Sequence, residues 1–161
     1  MFSTILLYAL AFSHGTHTHG IAEMKVAMEG KELEIEFEFP AVDIVGFEHQ
    51  AKKDSDKAKV DQALKKLREH GTIISLPKAA KCQLSKVEAD SDLLEEDEEH
   101  NDFEAEYEFR CEKMAELKII KVLAFSHFPS VNKIKAVAVS ANGQFQADLT
   151  KEKNVFQLSD D

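Results

Sequence analysis

Between Leu33 and Phe39 every second residue is apolar and every residue between them is glutamate. A period of two puts the apolar side chains on one face of a strand and the acids on the other. This run predicts a strand with one buried and one acidic face, ended by Pro40. The run before it, 21–28, joins it at Glu29-Gly30, where glycine supplies the positive φ of a tight hairpin turn. Val60, Ala63, Leu64 and Leu67 switch the period to that of a helix, started by Asp54-Ser55-Asp56 and capped at Gly71 after His70. Thr72 to Leu76 predicts a short strand stopped by Pro77. Alternation returns at Cys82, Leu84, Lys86 and Glu88, and again from Phe103 through Ala105, Tyr107 and Phe109 to Cys111. Leu117 to Phe125 reads as a further strand, with a buried helix as the alternative, and Phe128-Pro129-Ser130 as a turn. Ile134–Ser140 and Gln144–Leu149 flank Asn142-Gly143, the strongest short hairpin signal in the chain. The last residues, through Leu158 to Asp161, read as frayed.

The pattern predicts an α+β fold: an antiparallel β meander of seven or eight strands, one amphipathic helix packed on it, and one disulfide-closed hairpin. The hairpin would pair the two arms on either side of the acidic loop 91–100. Cys82 and Cys111 then face each other at its open end, within bridging distance. Two thiolate metal ligands are the rival reading, but no CxxC spacing supports it.

Charge narrows the function. With 161 residues and a net charge of −10, the chain suits one domain and is poorly matched to nucleic acid or anionic membranes. Cations are better partners. Met1 to Ser13 carry no charge and run Ile5-Leu6-Leu7-Tyr8-Ala9-Leu10, too short to span a membrane and shaped like the apolar region of a secretory signal. The chain therefore divides into a short signal peptide (1–13), a His-rich segment (14–20) and an α+β domain (21–161), with no membrane insertion of the mature chain. An even cysteine count agrees with an oxidising compartment.

His14, His17 and His19 lie within six residues, separated by glycine and threonine. Neutral imidazole is the commonest zinc ligand, and a glycine-rich segment can wrap several around one ion. Glu48-His49 in a connector, and His100 with Asp102 at the edge of the acidic run, are the places where the body could complete such a site. The rest of the acidic run lacks the spacing of a calcium loop and reads as a solvated surface. His70 at a helix end reads as structural, and His127 between phenylalanines as packing. No Rossmann, P-loop or nucleophile-elbow motif is present, and the chain reads as non-enzymatic.

These features together resemble the ZrgA-like family of periplasmic zinc-uptake proteins. The resemblance rests on His14-Gly-Thr-His17-Thr-His19-Gly20 followed by Ile21-Ala22-Glu23-Met24, and on Pro40-Ala-Val-Asp-Ile-Val-Gly-Phe-Glu-His49. It also rests on Cys82, on His100 through Cys111, and on Phe125-Ser-His-Phe-Pro129. It implies zinc binding in the periplasm, without catalysis, upstream of an ABC-type importer whose solute-binding component would receive the ion. The family's His-x-x-His-x-His falls on His14, His17 and His19, its Gly-Phe-Glu-His on Gly46 to His49, and the histidine before the later strand on His100. One departure stands out. The hairpin loop that in many relatives alternates histidine with acids is here Glu95 to His100, with a single imidazole. Two other readings remain from the residues alone: a copper enzyme with an amine-imidazole brace at His14, and a metal-independent periplasmic interaction module.

Overall fold

The computed structural model describes residues 18–95 and 101–159. Its centre is a six-stranded sheet built from β1 (Ile21–Glu29), β2 (Glu32–Pro40), β4 (Cys82–Ser91), β5 (Asp102–Cys111), β7 (Lys133–Ser140) and β8 (Gly143–Leu149), in the order β4-β5-β2-β1-β7-β8. A second sheet of three short strands runs β3 (Ile74–Ser75), β6 (Ile119–Val122) and β9 (Val155–Gln157). Among the described residues four α-helices accompany them: α1 (Ala41–Val45), α2 (Asp54–Arg68), α3 (His70–Ile73) and α4 (Ala124–His127).

The predicted α+β class and antiparallel meander are both corrected. The fold is predominantly β, with nine strands among the described residues in two sheets, and only α2 exceeds five helical residues. The large sheet is mixed, because β1 pairs parallel with β7 from Ile21↔Lys133 to Ala27↔Val139. Hydrophobic periodicity reports which face of a strand is buried and carries no information on its neighbour's direction. Parallel neighbours need a long crossover, and here everything from β2 to α4 lies between them in sequence.

Alternation places Met24, Val26, Leu33, Ile35, Phe37, Phe39, Phe103, Tyr107 and Phe109 on one buried face. The ring of Phe37 stacks on Phe39, with centroids 5.4 Å apart, and meets Tyr107 edge-on at 6.2 Å. α2 covers β4 and β5 through Val60, Ala63, Leu64 and Leu67, as its stripe predicts. The small sheet joins the same core through Ile74, Ile120, Val122 and Phe156.

Several local expectations shift. Gly71 lies inside α3 and has no left-handed φ, so it does not cap α2. The last carbonyls of a helix lack their usual partners within it; here the Glu69 N–H donates to that of Lys66 at 3.2 Å, and side chains supply further donors. Thr72 Oγ1 donates to the Lys66 carbonyl at 3.1 Å, and the buried Tyr107 hydroxyl donates to that of Leu67 at 2.5 Å. The run 117–125 divides into β6 and α4. The β7–β8 turn is Ala141-Asn142, one residue earlier than expected, with Gly143 (φ 136°) paired to Ser140 as the first residue of β8. In the C-terminal run, expected to fray from Leu158 on, Leu158 is buried, and residues 160–161 lie outside the described residues. The cysteine expectation holds: Cys82 and Cys111 are register partners at the open end of the β4–β5 pair and are joined by a disulfide.

Candidate metal site

The starts of β1, β5 and β7 and the ends of β2 and β4 lie at the end of the large sheet opposite the disulfide. The topology thereby gathers four chain segments there: the residues before β1, the α1–α2 connector, both described flanks of the acidic loop, and α4 with the turn after it.

Gly20 is the hinge on which the first of these turns. Its φ of +80° and its closeness to Asn132, whose Nδ2 would lie 2.5 Å from an added Cβ, leave room for glycine alone. Its carbonyl accepts the backbone N–H groups of Asn132 and Lys133 at 2.8 and 2.9 Å, while its own N–H donates to Asp43 Oδ2 at 2.6 Å. These bonds leave the preceding residue, His19, in an exposed turn. Its Nε2 lies 2.5 Å from Glu48 Oε1, an N–H to carboxylate contact between side chains 66% and 48% exposed. Such a nitrogen can exchange its proton for a metal ion without leaving the carboxylate's reach.

Glu48 reaches His19 because α1 stops where it does. Gly46, left-handed at φ 86°, closes the helix with its N–H on the Val42 carbonyl at 3.0 Å. The chain then turns outward through Phe47, Glu48 and His49. The His49 ring stacks on Phe47 at 4.6 Å, and its Nδ1–H donates to the Gln50 carbonyl at 3.0 Å. That bond uses Nδ1 and leaves Nε2 as the ring nitrogen a metal could take. The connector is tied to one flank of the acidic loop and the start of α1 to the other. Ala51 N–H and Gln50 Nε2 donate to the carbonyls of Leu93 and Glu95, at 2.9 and 2.6 Å, and Ala41 N–H donates to that of Asn101 at 2.8 Å.

Of the sequence-predicted ligands, the structure joins His19 to Glu48 and sets His49 beside them on the same connector. His14, His17 and His100 lie outside the described residues. Asp102 is buried at the start of β5, opposite Pro40. Among the described residues no three His, Cys, Asp or Glu side chains converge on one point where a metal could sit. The pair present, an imidazole and a carboxylate, is nevertheless a donor set that zinc accepts.

Two residues were misread or missed from the sequence. His127, expected to pack, is exposed on α4, at this same end of the sheet. Asp43 drew no attention, yet it is 8% exposed and carries the bond that anchors Gly20. Burial holds its carboxyl above the usual aspartate range and Glu48 adds to this, against the lowering pull of the Gly20 N–H and of His19. The signal that could have found it is a lone acid in the otherwise apolar Ala41-Val42-Asp43-Ile44-Val45, because a buried polar group needs a partner.

The outer face of the large sheet adds an acidic field. Asp90, Glu104 and Glu38 lie side by side on β4, β5 and β2, as do Glu88, Glu106 and Glu36. Lys86 bridges Glu88, Glu106 and Glu108, and Lys25 pairs with Glu36 at 3.1 Å. The resulting field favours cations in the surrounding water.

A family model described as ZrgA family zinc uptake protein matches residues 16–158. No curated protein matches the chain.

Proposed function

The chain belongs to the ZrgA family of zinc uptake proteins, and on that premise we propose that it is an exported, non-catalytic zinc carrier of the periplasm. It takes the ion at the His-rich segment before β1 and passes it to the solute-binding component of an ABC-type importer. The observation that carries this reading is the contact of His19 with Glu48. Two ligands on one tetrahedral zinc, each at ~2.0–2.2 Å, stand roughly 3.3 Å apart, so this pair needs to open by less than ~1 Å to hold an ion. Further donors are close in sequence: His17 and His14 lie two and five residues before His19, and His49 follows Glu48 directly. Zinc is the cargo here, and an exposed site suits a carrier that must release what it binds. The uncharged apolar run at 1–13 and the disulfide support export. Among the described residues no helix is long and apolar enough to cross a membrane.

Zinc titration of the mature protein against a chromophoric chelator tests the reading. The His14/His17/His19→Ala triple variant is expected to lose the tight site, with affinity down by at least ~10-fold. Unchanged affinity in that variant would sink the proposal.

A further inference from the structure

We infer that Asp43 is the positioning residue of the zinc site, holding His19 against Glu48 through the backbone of Gly20. The inference rests on the carrier reading above and extends it to a residue that supplies no donor to the ion.

The argument begins with what fixes His19. Its own side chain is exposed and touches the body through Glu48, an exposed residue on a connector. A contact between two exposed side chains does not by itself hold a segment in place. The next residue is held far more tightly. Gly20 is buried, its carbonyl takes two backbone N–H groups from the start of β7, and its N–H is taken by Asp43 at 2.6 Å. Gly20 is the residue immediately before β1, so without Asp43 its N–H would be a buried donor lacking an acceptor. Asp43 stands on α1, the helix whose left-handed end at Gly46 launches Glu48. One short element therefore sets both halves of the site. Its middle residue grips the chain at His19, and its end aims the carboxylate that His19 meets. Groups that orient a metal ligand without touching the metal commonly change affinity about 10–100-fold when removed.

Three single variants and one reference test this. Gly20 amide exchange is measured in the metal-free protein, and zinc affinity by chelator competition. Asp43→Asn keeps an oxygen that can accept the Gly20 N–H, so the amide stays protected and affinity falls no more than a few-fold. Asp43→Ala removes the acceptor, so protection is lost and affinity falls about 10–100-fold. Gly20→Ala leaves Asp43 intact but forces the hinge open against Asn132, and is expected to weaken zinc to the same degree. It also serves if Asp43→Ala fails to fold. His19→Ala is the reference. If it weakens zinc while Asp43→Ala and Gly20→Ala bind like the native protein, the positioning role is overturned and the carrier reading stands. If Asp43→Asn binds as poorly as Asp43→Ala while its Gly20 amide stays protected, the charge matters and the bond does not, and the inference fails. If His19→Ala binds zinc unchanged, the site itself is wrong and the role of Asp43 falls with it.

Discussion

Tyr107 carries one polar atom into the core and uses it where α2 needs an acceptor satisfied. Its hydroxyl reaches the Leu67 carbonyl, one of the last four that the helix leaves unpaired. Burial raises its phenol well above the ordinary tyrosine range, so it donates at every physiological pH. Tyr107→Phe keeps the ring and strands the carbonyl. The expected outcome is a loss of about 1–3 kcal/mol in urea unfolding, with zinc affinity unchanged. Neither Tyr107 nor Asp43 was legible as a hydrogen-bonding residue from the sequence. Alternation reported that Tyr107 is buried, but the partner of a buried polar group lies on another element. His19 and Glu48 were legible as candidate donors because imidazole and carboxylate announce their chemistry. That they meet, 29 residues apart, was not.

At the scale of elements, the two cysteines were legible as partners, since Cys82 opens one alternating run and Cys111 closes another on either side of an acidic loop. Their bridge ties the open end of the β4–β5 pair across 29 residues. Closing a loop of that length contributes about 3–4 kcal/mol in the chain-entropy account. Cys82→Ser/Cys111→Ser is expected to lower unfolding stability by that order. The proposed zinc site, at the far end of the sheet, should keep its affinity wherever the variant stays folded. An equal loss of zinc affinity in folded protein would show that the two ends are coupled. The direction of β7 was illegible because alternation is the same whichever way a strand runs. β3, with two residues, and β9, with three, are too short to show a period at all. Turn chemistry marked the β7–β8 hairpin but placed the turn one residue late, since Gly143 serves as the first residue of β8.

At the scale of the whole molecule, the chain carries a net charge of −10 and the fold lines up many of its acids on the outer face of β2, β4 and β5, which pH should reveal. Glu34 and Glu104 are both held above the ordinary glutamate range, first by burial. Glu108 and Glu36 then act on Glu34, and Asp90, Glu36, Glu38 and Asp92 on Glu104. Glu106 is raised too, by burial ahead of its other neighbours and against the pull of Lys86. An acid whose folded pKa exceeds its unfolded value binds its proton more tightly in the native state. Its contribution to stability is therefore greatest at pH values below both and declines as pH rises from the ordinary glutamate value through the raised one. Lys25 and Lys86 are raised as well, but they act only in the alkaline range where lysine titrates. Asp148 is lowered and acts only in the acid range below them. Between these ranges the glutamates set the sign, so the melting temperature should fall as pH is raised from about 5 towards neutrality. Glu34→Gln/Glu104→Gln is expected to flatten that slope and to melt higher than the native protein at neutral pH. Added salt should flatten it as well, by screening the part due to repulsion. A melting temperature that instead climbs over the same interval would mean that the acids on this face are stabilised by cations more than they repel one another. The face would then be a paired surface rather than a reserve of negative charge.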